Sequence, residues 1–200
     1  MSEALAIFAK APVPGFAKTR LTPPLTPAEA AQVYEASLEA VVAAALGSGV
    51  EVTIFFDPAH EGEAYFASAY PAIRRLPQEG EGLGDRLANA FDTLFSHGFQ
   101  RVSIIGADSP TLPAAYLAEA FATLRGTDVV LGPTLDGGYY LVGLNRRAWP
   151  RARTRWRRCR TSGTSPTSCW SAIPAIAARV AVSAPARTIG NAPAARSGAR

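Results

Sequence analysis

The chain has 200 residues, 48% of them apolar and 18% charged, enough for one globular domain with a core of ordinary size, or for a domain plus a tail. No apolar run approaches the roughly 20 residues a membrane span needs, and the N-terminus lacks a signal peptide's pattern, because Glu3 precedes the apolar run and no cleavage-site region follows it. The two cysteines, Cys159 and Cys169, make neither a disulfide framework nor a metal-ligand cluster, so a cytoplasmic protein without a membrane partner is expected. The net charge of +4 hides two unlike pieces. Residues 1–150 carry 16 acidic and 10 basic side chains, a net of −6, whereas residues 151–200 carry 10 Arg and no Asp, Glu or Lys, a net of +10. The basic balance therefore belongs to the tail, and a nucleic-acid-coating surface is not expected of residues 1–145.

In chain order, Ala4 to Phe8 is a short apolar run that stops at a loop punctuated by Pro12, Pro14 and Gly15, which suits a buried strand. Thr26-Pro27-Ala28-Glu29 has the residues of a helix start: a capping Thr, Pro at the first helical position and Glu completing a capping box. Val33, Leu38, Val41, Val42 and Leu46 follow on an Ala-rich helix that Gly47 and Gly49 end. Val50 to Phe56 reads as a strand, Glu63 to Tyr70 as a short helix and Ile73 to Leu76 as a short edge strand. A Gly-rich loop, Gln78 to Arg86, enters a helix from about Asp85 to Ser96, with Leu87, Phe91, Leu94 and Phe95 on one face. Arg101 to Gly106 is a strand, Pro113 starts a helix to Leu124, and Asp128 to Leu131 and Tyr139 to Leu144 are the last strands, the final one antiparallel. Alternation of this kind predicts an α/β fold, a three-layer α/β/α sandwich around a mainly parallel sheet.

Ligands of such sheets bind outside the carboxyl ends of the strands. The loop after the first strand carries three cations, Lys10, Lys18 and Arg20, and no acid, a set suited to phosphate oxygens. Asp108 follows the strand Arg101 to Gly106 and is placed to hold Mg²⁺ or Mn²⁺, which take carboxylate oxygen and share the phosphates of a nucleotide. As an isolated Asp-Ser-Pro it also reads as a turn or cap. Asp136-Gly137-Gly138 is a third candidate, with Asp136 facing an acceptor or the metal and the two glycines admitting a close ligand, although as a bare hairpin turn it needs no function. Gly80, Gly82, Gly84 and Asp85 form a loop able to wrap a nucleobase or ribose; the dinucleotide-binding fingerprint it superficially matches requires a strong preceding strand that is not there. His60 and His97 read as surface residues.

Taken together, FAKAPVPGFAKTRL, QEGEGLGDR, IIGADSPTL and LGPTLDGGYYLVGL resemble a family of small bacterial proteins in the nucleotide-diphospho-sugar transferase superfamily, described as GT-A-type glycosyltransferases and long known as a domain of unknown function. The same fold serves molybdenum-cofactor and phospholactate guanylyltransferases. The resemblance covers about residues 4–145 and implies that Lys10, Lys18 and Arg20 bind the donor's phosphates, that Asp108 is the metal aspartate, that Gly82, Gly84 and Asp85 contact the nucleoside, and that Asp136, Gly137 and Gly138 line the acceptor side. It implies a metal-dependent glycosyltransferase using a nucleoside-diphosphate sugar and an acceptor of unknown identity; no catalytic base stands out in the sequence, and Asp136 is the best available. The alternatives are a nucleotidyltransferase that takes a nucleoside triphosphate and releases pyrophosphate, and a non-catalytic nucleotide-binding protein.

From about residue 146 the character changes. No carboxylate side chain follows Asp136, and Arg, Ser, Thr, Pro and Trp mix without apolar periodicity. Residues 146–200 therefore read as an atypical Arg-rich tail, of the kind a GC-rich gene yields out of frame, with little means to pack. The rival reading is a basic segment for nucleic acid or acidic lipid. A weak strand near Ala178 to Val182 is the one regular element expected there.

Overall fold

In the computed structural model, which describes residues 2–134, 138–154 and 180–182, seven strands form one sheet. The elements are β1 (Glu3–Lys10), α1 (Pro27–Gly47), β2 (Glu51–Asp57), α2 (Ala59–Ala69), β3 (Arg74–Pro77), α3 (Leu83–Ser96), β4 (Arg101–Gly106), α4 (Ala114–Leu124), β5 (Val129–Pro133), β6 (Tyr139–Asn145) and β7 (Val180–Val182). The sheet order is β3-β2-β1-β4-β6-β5-β7. Strands β1 to β4 run parallel, and β6 is antiparallel to both β4 and β5. Each element of the sequence reading is present, with ends that coincide or shift by at most four residues. The largest shift is at α2, which begins at Ala59, directly after Pro58. The weak strand expected near Ala178 to Val182 is β7, paired parallel to β5.

Alternate residues of a strand point to opposite faces of the sheet, and β1 divides accordingly. Leu5, Ile7 and Ala9 join a core with α1, α2 and α4, where Leu38, Phe66, Leu117 and Phe121 are fully buried. Ala4 and Ala6 join the opposite core, built on Leu87, Phe91, Leu94 and Phe95 of α3. The three-layer sandwich follows, with α3 alone on its side through the first six strands. At the start of α1, the Thr26 side chain accepts from the Glu29 N–H and the Glu29 carboxylate accepts from the Thr26 N–H, completing the expected capping box.

Packing continues past residue 145. Residues 149–154 are helical and lie on the face of α3. Trp149 is 5% exposed, its ring centroid 5.2 Å from Phe91 and 6.0 Å from Phe95, and its indole N–H donates to Asp92 Oδ1 at 2.8 Å. Arg147 and Arg151 both reach the buried Asp128, and Arg153 reaches Asp92. Over 146–154, three of the four arginines of the composition that reads as unpackable are thus paired with two acids of the body of the protein. Residues 155–179 and 183–200 of the tail lie outside the described residues. Replacing a buried aromatic by Ala typically costs about 3–5 kcal/mol. Trp149→Ala is therefore expected to lower the urea midpoint by a loss of about that size; a change below about 1 kcal/mol would mean that this segment is not part of the cooperative unit.

Candidate functional site

The sheet order reverses at β1. From β1 the chain moves outward to β2 and β3, then returns to place β4 on the other side of β1. Phe8 pairs with Gly106, so the two strands end side by side and their following loops diverge. A crevice at such a reversal is where open α/β sheets bind ligands. Here it is a cleft of about 840 Å³, lined from β1 and its loop by Lys10, Lys18 and Arg20, from β4 and its loop by Gly106 and Asp108, and from the glycine-rich loop by Gly82.

Helix α1 holds both strand ends from below. The Lys10 backbone N–H donates to the Tyr34 hydroxyl at 2.7 Å, and one turn later the Ser37 hydroxyl donates to the Ala107 carbonyl at 2.9 Å. Ala107 N–H in turn donates to the Phe8 carbonyl at 3.2 Å, tying the start of the Asp108 loop to β1. Tyr34 and Ser37 are both 5% exposed. Buried hydroxyls need partners, and these two find theirs on the backbone that carries the candidate residues.

The cationic loop leaves β1 through buried Ala11, turns at Gly15 and returns through buried Ala17. Lys18 follows in the left-handed region at φ 51°, a conformation uncommon for a non-glycine residue. A single 3₁₀ turn, Thr19–Leu21, comes next. Lys18 Nζ lies 2.7 Å from Asp108 Oδ1, with the lysine side chain 18% exposed and the aspartate 57%. Lys10 and Arg20 line the cleft with no ion-pair partner among the described residues. Three cations and one carboxylate, separated by some ninety positions in the chain, thus face the same space.

The remaining candidates separate. Gly82 caps α3 and lines the cleft, whereas Gly84 is buried and Asp85 stands in the first turn of α3; neither lines it. Gly138 is described and its carbonyl accepts from Thr134 N–H at 3.0 Å, between the cleft-lining residues Thr134 and Tyr139. Asp136 and Gly137 lie outside the described residues. Among the described residues no group of three or more His, Cys, Asp or Glu side chains could form a metal centre. Asp108 fits a different mode, in which Mg²⁺ or Mn²⁺ takes one protein carboxylate and completes its shell with substrate phosphates and water.

Several residues at the cleft escaped the sequence reading. Tyr34 and Ser37 sit in an Ala-rich helix, where the only signal is two hydroxyls three residues apart on an otherwise apolar face. Tyr140 packs over Gly132, where an added Cβ would lie 2.5 Å from its ring, and Tyr139 beside it lines the cleft. Arg86, Asp57 and Gln78 form a cluster on the wall opposite Asp108's loop; Arg86 and Gln78 line the cleft.

The fold is that of the nucleotide-diphospho-sugar transferases and of nucleotidyltransferases. A Desulfovibrio desulfuricans G20 protein provisionally classed as a nucleotide-diphospho-sugar transferase superposes with a TM-score of 0.80 at 26% identity, covering 92% of this chain and 81% of its own. A Mycobacterium tuberculosis H37Rv protein solved as a manganese complex gives 0.52 at 14% identity over 76% and 74% of the two chains. A CMP-2-keto-3-deoxy-manno-octonic acid synthetase complexed with CTP gives 0.52 at 13% identity over 93% and 91%. Residues 40–158 match the family described as an uncharacterized protein conserved in bacteria (DUF2064), and the chain belongs to it. The match runs past residue 145, as the packing does. No curated protein matches the sequence. No described helix is long and apolar enough to cross a membrane.

Burial pushes the Tyr139 hydroxyl up to about 12 from its ordinary value near 10. Tyr139 therefore meets a ligand as a neutral phenol and is no general base at neutral pH. Because the folded value is raised, its contribution to stability is complete below about pH 10 and is lost as pH rises toward 12. Tyr139→Phe is expected to flatten the fall in stability between pH 10 and 12; an alkaline profile identical to wild type would contradict the burial of that hydroxyl.

Proposed function

We propose that the protein is a metal-dependent transferase that takes a nucleoside-diphosphate sugar, with Lys10, Lys18 and Arg20 on the diphosphate and Asp108 holding Mg²⁺ or Mn²⁺ against it. The observation that carries this reading is the 2.7 Å approach of Lys18 to Asp108 across the reversal of the sheet. It puts cation and carboxylate within reach of one pyrophosphate group. The manganese-bound neighbour of the same fold is consistent with that ion class. In the transfer, the bond between the sugar's anomeric carbon and the diphosphate breaks, an acceptor oxygen takes its place, and the electron pair leaves with the diphosphate. Positive side chains and a bound metal lower the cost of that developing charge. The acceptor approaches from the side of Thr134, Tyr139 and Tyr140, which line the cleft, and Asp136, by its place in the sequence, is the candidate for taking the acceptor's proton.

The CTP-bound neighbour supports a second reading, nucleotidyl transfer, in which an acceptor oxygen attacks the α-phosphate and pyrophosphate leaves. The same cations and metal serve it. Incubation with labelled nucleotide sugars and nucleoside triphosphates separates the two: free nucleoside diphosphate with sugar transfer supports the first reading, and pyrophosphate release supports the second. Asp108→Asn is expected to lower either activity at least a hundredfold and to remove the metal-dependent part of any ligand-induced rise in melting temperature. A variant that keeps its metal dependence would take Asp108 out of the site.

Lys18 and a divalent ion seek the same carboxylate oxygen. A partly exposed ion pair is worth at most about 1 kcal/mol, so a diphosphate offering Lys18 several oxygens is able to draw it away. Metal affinity, followed by Mn²⁺ paramagnetic resonance, should therefore rise at least tenfold when a nucleoside diphosphate is added. Equal Mn²⁺ affinity with and without nucleotide would contradict a shared site.

A further inference from the structure

Arg86 lines the cleft on the first turns of α3 and is anchored on three sides. Its Nη1 lies 2.9 Å from Asp57 Oδ2 and 3.4 Å from Gln78 Oε1, and its Nε donates to the Gly80 carbonyl at 3.2 Å. Gln78 is itself fixed, donating its Nε2 to the Ala9 carbonyl at 3.3 Å and to the Phe55 carbonyl at 2.9 Å near the ends of β1 and β2. Gly80 sits at φ +126°, and a Cβ there would lie 2.7 Å from Asp85 Cβ, so the bend that brings its carbonyl to Arg86 is open only to glycine. Among the described residues no hydrogen bond engages the remaining nitrogen, Nη2, and the Arg86 side chain is 27% exposed.

Charge compensation distinguishes this guanidinium from the other cations of the cleft. Lys10 and Arg20 face it with no acidic partner among the described residues, which favours an anion. Arg86 has its charge matched by Asp57, so what it still offers is a pair of directional N–H donors held in a rigid plane. Such a group discriminates among neutral acceptors, carbonyl oxygens or ring nitrogens, at little ordering cost, because it is already fixed.

We infer that Arg86, anchored by Asp57, Gln78 and the Gly80 carbonyl, is a specificity-determining residue that donates from Nη2 to an acceptor on the nucleoside half of the ligand, while the diphosphate lies on the Lys18–Asp108 side. The inference rests on the proposed diphosphate site, and the test separates the two. Dissociation constants are measured by titration calorimetry with Mg²⁺ for pyrophosphate and for the diphosphates of adenosine, guanosine, cytidine and uridine, on wild type, Arg86→Lys and Asp57→Asn. Arg86→Lys keeps the charge and loses the fork. It is expected to weaken the preferred nucleoside diphosphate at least tenfold, to narrow the differences among the four bases, and to change pyrophosphate binding less than twofold. Equal losses for pyrophosphate and nucleoside diphosphate, or no loss for either, would overturn the assignment. Pyrophosphate binding absent from wild type, beside nucleoside binding that still depends on Arg86, would remove the diphosphate site and keep Arg86. Asp57→Asn covers the case in which Arg86→Lys fails to fold. By freeing the Arg86 charge it should tighten pyrophosphate binding and reduce base discrimination, and unchanged discrimination would overturn the proposal.

Discussion

What the cleft depends on is the adjacency of β1 and β4. Two strands that end side by side, one followed by a cationic loop and the other by an aspartate, bring together opposite charges that lie far apart along the chain. The sheet alone does not complete this. Both strand ends are held by one face of α1, through the Tyr34 hydroxyl on the Lys10 amide and the Ser37 hydroxyl on the Ala107 carbonyl. A buried hydroxyl left without a partner costs about 1–3 kcal/mol, so the helix and the two loops stabilise one another.

The charges around the cleft divide by how they are compensated. Lys18 is matched by Asp108 and Arg86 by Asp57, while Lys10 and Arg20 have no acidic partner among the described residues. The first pairing is partly exposed and weak, fit to be exchanged for a phosphate and a metal. The second is reinforced by Gln78 and the Gly80 carbonyl and is suited to stay in place. On the proposed reading, exchangeable charge at Lys18 and fixed donors at Arg86 suit a ligand that is anionic in one part and neutral in another. Nucleoside diphosphates and their sugars have that form.

Much of this was legible in the sequence, and the reasons are local. The strands show as apolar runs between Pro and Gly, the start of α1 as a Thr-Pro-x-Glu capping pattern, and the cationic loop as three cations without an acid. Asp108 was readable because it follows a strand directly. Arg86 and Asp57 were not, since they lie 29 positions apart and no spacing rule joins the end of a strand to a helix after the next strand. The packing of residues 146–154 was not legible for a related reason. Composition shows an excess of Arg, but it does not show that Asp128 and Asp92 wait for Arg147, Arg151 and Arg153, or that Phe91 and Phe95 leave a face for Trp149.

The most direct measurement is a crystal structure of the protein with a nucleoside diphosphate and Mn²⁺, the ion located by its anomalous scattering. Manganese is expected on Asp108, bridged to the diphosphate, with Lys10, Lys18 and Arg20 around the phosphate oxygens. Manganese away from Asp108, or a diphosphate bound outside the space between β1 and β4, would contradict it.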